Sequence, residues 1–169
     1  MRRKDRELSR EETLTVIRHT PHCVIATVDE SGTPYATPIT AVLFEGAVYF
    51  HSSSDVTGRR YQNALQNDKV SIVWIGRGET AADELPKDFS VNYASAIVEG
   101  RISLVTDEGE KKRVAKAFCL RHVPQAGEEA IDKYYAAGGK YVVFWKVTID
   151  SLSGKARNKQ GYFNRILAA

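Results

Sequence analysis

Three β-rich runs follow one another between residues 22 and 52, separated by turns of only a few residues. The runs are HCVIATV, YATPITAVLF and AVYFHS, and the connecting segments DESGTP and EG both contain glycine. Short glycine-containing connections of this kind join antiparallel strands. This part of the chain is therefore predicted to form an antiparallel meander.

Further strand patterns follow at KVSIVWI, FSVNYASAIVE, RISLV and KYVVFWKVTID. Gly100 separates the second of these from the third, and we predict a hinge there. Residues 76–88 have no apolar periodicity and contain glycine and proline, which predicts a long loop. Residues 151–169 are basic and poorly patterned, so we expect a C-terminal tail.

Helix signals lie between and after these strands. Ser9 and Glu12 are spaced as a capping box before an apolar-periodic stretch that Pro21 ends. The segment TGRRYQNALQN predicts a short helix. Thr106 is the expected N-cap of a helix over DEGEKKRVAKAFCLRH, and EEAIDKYYAA predicts another helix, ended by the two glycines that follow. The chain is thus predicted to be mainly β, a six-stranded antiparallel barrel with outer α-helices.

The size and composition fit one globular unit. With 169 residues and 18.8 kDa, we expect a single domain over 1–169. No apolar run approaches the ~18 residues that span a bilayer, and the charged start MRRKDRELSREE lacks a secretory signal, so we expect a cytoplasmic protein outside the membrane. Cys23 and Cys119 lack metal-site spacing. The net charge is +3, but the basic residues alternate with acidic ones, which argues against nucleic acid as a partner.

The stretch YFHSSSDVTGRRY, residues 49–61, suggests an anion site. Ser52 and the serines after it supply hydroxyl donors, and Gly58 is expected to let the loop turn. Arg59 and Arg60 then fall at the start of the predicted short helix, where free amides and the helix dipole attract anions. The alternative is that both arginines are solvated helix charges, and spacing alone does not decide between these interpretations.

The order of elements resembles the FMN-binding split barrel of the pyridoxamine 5′-phosphate oxidase-like superfamily. The matching stretch is PYATPITAVLFEGAVYFHSSSDVTGRRYQNALQNDKVSIVWI, in which Asn67 follows the basic pair at the expected distance. Within that superfamily the chain is most similar to the nitroimidazole-resistance branch, through MRRKDRE, VYFHSSSDVTGRR, YASAIVEGRISLV and FWKVTIDSLSGKAR. The C-terminal Arg-x-His arrangement of the vitamin B6 oxidases is missing, so we do not expect their activity.

The resemblance implies FMN as the cofactor, with its phosphate near the arginine pair and its ring beside the second strand. The cofactor-binding residues it implies are Arg59, Arg60, Ser52, Gly58, Pro38, Ile39, Thr40, Ala41, Tyr49, Asn67 and, from the neighbouring subunit, Tyr93 and Ser95. His51 would lie close to the cofactor and act in catalysis, or else be a structural histidine at a strand end. No metal site is expected.

The same resemblance implies reduction of a small planar electron acceptor, such as a 5-nitroimidazole, by a homodimer with the cofactor at its interface. Two other classes stay open. One is a haem- or flavin-binding module without turnover of its own, with His51 as a haem ligand. The other is a basic adaptor that binds nucleic acid.

Overall fold

The computed structural model describes residues 3–76, 78–81, 85, 89–138 and 142–167. Within these ranges the strands are β1 His22–Val28, β2 Pro34–Phe44, β3 Ala47–Ser53, β4 Lys69–Ile75, β5 Glu79–Ala81, β6 Ser90–Leu104 and β7 Val142–Arg157. The helices are α1 Arg10–His19, α2 Arg59–Gln66, α3 Glu108–His122, α4 Glu128–Gly138 and α5 Lys159–Leu167, with a 3₁₀ helix at Lys4–Arg6.

The strands form one antiparallel sheet in the order β4-β1-β2-β3-β7-β6-β5, and β4 also pairs with β6. This last pairing closes six strands into a barrel, which removes their free edges. The predicted six-stranded antiparallel barrel with outer helices is confirmed. The seventh strand, β5, is a three-residue addition that pairs with β6 inside the predicted 76–88 loop. Residues 77, 82–84 and 86–88 of that loop lie outside the described residues.

The barrel interior holds the main apolar core. On β1 the buried positions are Cys23, Ile25 and Thr27, as expected for a strand with one face inside the barrel. Trp145 stacks on Phe50 in the same core, with ring centroids 6.4 Å apart.

A second, smaller core lies outside the barrel, between β2, β3, β7 and α3. Tyr49 is only 1% exposed there, and its hydroxyl donates to Glu110 Oε1 at 2.8 Å. Lys146 Nζ donates to the same oxygen at 2.9 Å. Because both cores bury it, β3 is covered on its two faces from Ala47 to Phe50, which explains its uninterrupted apolar start.

The helix N-termini agree with the sequence in one case and differ in another. At α1 the predicted capping box is present, with Glu12 N donating to Ser9 Oγ at 3.2 Å and Ser9 N donating to Glu12 Oε2 at 2.8 Å. At α3 the predicted cap Thr106 is wrong, because Asp107 caps the helix and its Oδ1 accepts from Glu110 N at 2.7 Å. A carboxylate also interacts favourably with the positive end of the helix dipole.

The predicted hinge at Gly100 is wrong. β6 runs through it without a break, and only the register with β7 shifts between Glu99 and Gly100. A Cβ at residue 100 would collide with the carbonyl oxygen of Thr148. The glycine is therefore required by the close approach of two strands rather than by a change of direction.

The segment predicted as a tail continues the fold in the described residues. β7 extends to Arg157, and α5 follows, with Tyr162 only 3% exposed. The strand is hard to recognise in SLSGKAR because its buried positions are the small residues Gly154 and Ala156. Gly154 has no room for a side chain, since a Cβ there would collide with Thr13 of α1.

α4 ends at the first of the two glycines that were predicted to stop it. Gly138 is the last residue of α4, whereas Gly139, the second predicted stop, lies outside the described residues. None of the helices in the described ranges combines the length and the apolar character needed to span a bilayer.

Candidate functional site

The β2 strand changes partner part-way along its length. It pairs with β1 from Pro34 to Thr40 and with β3 from Ala41 to Phe44. The last residues of β3, 51–53, pair with β7 on one side, while β2 has diverged from the other. We call the resulting gap the β2–β3 cleft. Strand-edge amide and carbonyl groups in this gap are available to a ligand.

Arg60 reaches into this cleft from the first turn of α2. Its Nη1 donates to Thr37 Oγ1 at 3.2 Å, and its guanidinium lies over the Phe50 ring, 5.4 Å from the centroid. No carboxylate among the described residues contacts the guanidinium. Burial lowers the pKa of Arg60, because a desolvated cation is disfavoured when no anion lies beside it.

A cavity of about 180 Å³ adjoins Arg60 at the start of α2, and we call it the α2 pocket. Its lining residues are Ser52, Ser53, Asp55, Gly58, Arg60, Tyr61 and Trp145. Ser52 Oγ accepts from Trp145 Nε1 at 3.0 Å, and no side chain caps α2. A guanidinium, hydroxyl groups and uncapped helix amides together form a set of donors suited to an anion.

The loop before α2 is shaped by Asp55 rather than by Gly58. Asp55 Oδ1 accepts from Thr57 N at 2.8 Å and from Thr57 Oγ1 at 2.7 Å. Gly58 has φ −60° and ψ 132°, which any residue adopts, so the predicted need for its conformational freedom is wrong. A Cβ at this position would meet only Asp55 O, at 3.8 Å, so the position also has room for a side chain.

The structure separates the two adjacent arginines. Arg59 Nη2 pairs with Asp29 Oδ2 at 3.4 Å, and its guanidinium lies over Tyr35, 4.7 Å from the centroid. The Arg59 side chain is 47% exposed and does not line the α2 pocket. Arg59 is thus a compensated surface charge, while Arg60 is the buried and uncompensated member of the pair.

A buried hydrogen bond fixes α2 to the barrel. Asn63 Nδ2 donates to Thr27 Oγ1 at 3.1 Å, and both residues are almost completely buried. The bond orients the helix that carries Arg60, because breaking it would take this acceptor from the buried Asn63 amide, whereas the Thr27 hydroxyl would keep its bond to Tyr35 O.

The ring-binding residues predicted on β2 fall on two faces of that strand. Ile39 and Ala41 are buried in the barrel core, whereas Pro38 and Thr40 lie on the outer face. Tyr49 is enclosed in the second core. Of these five predicted residues, Pro38 and Thr40 are therefore the ones on an accessible face.

The outer face of the sheet is apolar and uncovered across four strands. Pro38, Val24, Val73 and Ile97 are successive partners on β2, β1, β4 and β6, so they form a row on one face. Ile97 is 39% exposed and Ile75, on the same face of β4, is 67% exposed. We call this surface the open sheet face.

The remaining predicted residues lie away from the α2 pocket. Tyr93 and Ser95 are on β6 and share the open sheet face with Ile97. Asn67 lies at the other end of α2, where its Oδ1 accepts from Lys69 N at 3.0 Å. The described residues give Asn67 a local role in the connection to β4.

His51 lies on the outer side of β3, at the border between the second core and the open sheet face. One side of the residue is exposed, and on the other side its ring meets Phe118 edge-on with centroids 4.7 Å apart. Burial of the ring lowers the pKa of His51, and the charge of Arg60 lowers it further.

A second cavity, of about 370 Å³, lies between His51 and helices α3 and α4. We call it the α3–α4 cavity. Its walls are mainly aliphatic and aromatic, with Phe118, Tyr135 and Phe144 among them, and His122 also lines it. His51 therefore lies between a polar pocket at the start of α2 and an apolar cavity under α3 and α4.

The family model described as Pyridoxamine 5'-phosphate oxidase matches residues 9–156, most of the chain. The chain belongs to the pyridoxamine 5′-phosphate oxidase family. The family predicted from the sequence is thereby confirmed, and the matched range includes both the β2–β3 cleft and the α3–α4 cavity.

Solved structures that share the family fold include a candidate 5-nitroimidazole antibiotic resistance protein from Bacteroides thetaiotaomicron. It has a TM-score of 0.72 and 19% identity, over 88% of this chain and 85% of its own. The FAD and haem binding protein from Mycobacterium smegmatis has a TM-score of 0.72 and 16% identity, over 89% of this chain and 72% of its own. At these identities the likeness establishes a shared fold.

A curated relative is the tRNA modification GTPase MnmE from Lachnoclostridium phytofermentans, 29% identical over 114 residues. The match covers 65% of this chain and 24% of that protein. The chain thus spans about a quarter of the length of this relative.

Three residues of the site were missed by sequence reasoning. Thr37 had a signal, because strand alternation places it on the same face as Ile39. The contact of Trp145 with Ser52 joins positions 93 residues apart, and His122 comes near His51 only through the packing of α3. Neither of these two leaves a local pattern in the sequence.

Arg60 lines the α2 pocket, and its charge lowers the pKa of His51, which lines the α3–α4 cavity. We predict that Arg60→Gln raises the pKa of His51, because the cation that disfavours the imidazolium is removed. The measurement is an NMR pH titration of the imidazole in ligand-free protein. Arg59→Gln is the matched control and leaves the His51 pKa unchanged.

The lowered pKa of His51 also makes the stability of the folded protein depend on pH. Since the pKa of His51 is lower in the folded than in the unfolded protein, its contribution is fully present above the ordinary pKa and is lost as pH falls through the folded-state pKa. If the His51 pKa were identical in wild type and Arg60→Gln, the charge of Arg60 would have no effect on His51 and the prediction would be wrong.

Proposed function

We propose that the chain binds FMN in the β2–β3 cleft, with the phosphate in the α2 pocket. The observation that carries this proposal is Arg60, a half-buried guanidinium that no carboxylate of the described residues contacts. Burying a cation without a partner is costly, so the site favours an anionic ligand. A phosphate suits the planar guanidinium because two parallel hydrogen bonds form between them.

The other residues of the α2 pocket fit a phosphate group. The first amides of α2 have no side-chain cap, and the Ser53 hydroxyl adds a donor beside them. Ser52 Oγ accepts a hydrogen bond from Trp145 Nε1 and donates one to Ser53 O at 3.1 Å. When the bond to Ser53 O is released, the Ser52 hydroxyl is free to donate to the phosphate instead. Asp55 is the one acidic lining residue, and its Oδ1 is occupied by Thr57.

We place the flavin ring along the outer face of β2, beside Pro38 and Thr40. The flavin would then extend from its phosphate in the α2 pocket to its ring near the open sheet face. Tyr93 and Ser95 share that face, and we propose that a second copy of the chain supplies them to the ring. Ile39, Ala41 and Tyr49 have no part in this placement, because they are enclosed in the two cores.

A bound flavin would supply electron transfer, and the protein would supply binding, orientation and protons. We propose that the substrate is a small planar electron acceptor such as a 5-nitroimidazole, which the B. thetaiotaomicron relative's assignment supports. Reduction of a nitro group to a nitroso group takes two electrons and two protons and releases water. His51, at the border of the cleft, is positioned to hold and deliver a proton to the acceptor.

We further propose that the chain works as a homodimer that buries the open sheet face. A row of apolar side chains across four strands is costly to leave in water, and a two-fold axis would cover the same surface on both copies. The dimer would also bring Tyr93 and Ser95 of one copy toward the cleft of the other.

A haem-binding role is the second candidate. Two imidazoles, His51 and His122, line the α3–α4 cavity and are potential iron ligands. An absorption spectrum of the purified protein separates the two candidates, because flavin gives two broad bands and haem gives a sharp Soret band.

We predict that Arg60→Ala weakens FMN binding by roughly one to two orders of magnitude, on the basis of ~1.5–3 kcal/mol for hydrogen bonds to a charged group. Arg59→Ala has a smaller effect, since Asp29 already compensates that charge. The measurement is a fluorescence titration of apoprotein with FMN. Riboflavin lacks the phosphate, so its weaker binding is little changed by Arg60→Ala. Equal losses for FMN and riboflavin would place the phosphate elsewhere.

We predict that His51→Gln slows acceptor reduction at least about tenfold, since a positioned general acid contributes roughly 10²–10⁴. The measurement is anaerobic consumption of metronidazole by the chemically reduced, FMN-loaded protein. The wild-type rate falls as pH rises through the His51 pKa, whereas the variant rate lacks this step. His19→Gln, on the exposed surface of α1, is the control. A wild-type rate in His51→Gln would leave His51 with a structural role.

We predict that the wild type sediments at twice 18.8 kDa at micromolar concentration and that Val73→Glu sediments as a monomer. Glutamate at this position would put a charge in the middle of the apolar row of the open sheet face. Leu65→Glu changes an exposed apolar residue of α2 and leaves the dimer intact. A wild-type mass of 18.8 kDa would refute the dimer.

A further inference from the structure

We infer that the α3–α4 cavity binds an uncharged planar aromatic molecule with one hydrogen-bonding group and holds it beside His51. That the molecule is the electron acceptor rests on the proposed function. Its binding in the cavity rests on the size, lining and polar atoms of the cavity alone.

The volume and walls of the cavity suit a small aromatic ligand. At about 370 Å³ it lies in the range of ligand pockets and exceeds the ~30 Å³ of a single water many times over. Phe118, Phe144 and Tyr135 supply aromatic walls, against which rings pack edge-on or offset. The cavity therefore favours a flat molecule of one or two rings over a flexible chain.

The charge of the lining selects an uncharged ligand. None of the described residues that line the cavity is a lysine, arginine, aspartate or glutamate. An anionic or cationic ligand would lose its hydration without gaining a charged partner.

One buried polar atom among the described lining residues lacks a hydrogen-bond partner. His122 Nε2 is buried and forms no hydrogen bond within the described residues. Burial lowers the pKa of His122, and the charge of Arg121 lowers it further, which favours the neutral form of the ring. A buried neutral nitrogen without a partner is costly, and a hydroxyl or similar group on the ligand would satisfy it.

The position of the cavity links it to the cofactor cleft. His51 is part of its wall, and the adjacent residue Ser52, which points to the opposite side of β3, lines the α2 pocket. His51 and His122 both contact Phe118, with ring centroids 4.7 and 4.6 Å away. A ligand bonded to His122 is thereby held on the side of the cavity that faces the cleft.

The test uses 2-naphthol and naphthalene as probes on the 169-residue chain without FMN, and their binding is measured by fluorescence. Ala130→Phe adds a ring to the lining of the cavity from α4. Ala137→Phe, two turns further along the same helix, is exposed and is the matched control. His122→Phe removes the unpartnered nitrogen and keeps an aromatic ring. Thermal unfolding shows that each variant is folded.

We expect saturable 2-naphthol binding below about 1 mM, a loss of at least tenfold in Ala130→Phe, and no change in Ala137→Phe. His122→Phe weakens 2-naphthol about threefold to tenfold, as for one hydrogen bond, and leaves naphthalene unchanged. Three outcomes overturn the inference: no saturable binding, equal losses in both alanine variants, or equal losses of both probes in His122→Phe. Stoichiometric haem binding with a Soret band that His122→Phe abolishes also overturns it.

A parallel FMN titration of the same samples separates this inference from the proposed function. Protein that binds FMN but neither probe refutes the ligand cavity alone. Protein that binds 2-naphthol but not FMN supports the ligand cavity and refutes the cofactor proposal.

Discussion

The change of partner along β2 is the constraint on which the rest of the structure depends. Since β2 pairs with β3 only from Ala41 to Phe44 and with β1 from Pro34 to Thr40, the end of β3 keeps a free edge that a closed ladder would have used. Arg60 occupies that gap and contacts both strands, through its bond to Thr37 of β2 and its position over the Phe50 ring of β3. β4 and β6 still pair and close the barrel, so the gap between β2 and β3 leaves the other strand pairings intact.

One strand separates two environments of opposite character. Alternation along β3 sends Ser52 toward a polar pocket with a guanidinium and His51 toward an apolar cavity in which none of the described lining residues is charged. On the proposed function, the charged pocket would hold a cofactor phosphate and the uncharged cavity a neutral ring. Two adjacent residues of β3, His51 and Ser52, thus face an uncharged and a charged environment.

Local patterns in the sequence predicted most of the barrel, and contacts between distant residues account for what they missed. The capping box at Ser9 and the strands of the meander depend on neighbouring residues, so they were predicted correctly. The long course of β7 was missed because Gly154 is buried by α1, which no local pattern records. At the site, the pair Arg59 and Arg60 suggested two equivalent charges. The folded chain shows that Asp29 compensates Arg59, whereas no carboxylate of the described residues contacts Arg60.

The proximity of Arg60 to His51 has a consequence for the order of events at this site. Burial lowers the pKa of His51, and the charge of Arg60 lowers it further, so both disfavour the protonated imidazole. An anion bound to the guanidinium neutralises that charge and makes the imidazole more basic. On the proposed function, an anion bound in the α2 pocket on one side of β3 would therefore increase the fraction of His51, on the other side, that carries a proton.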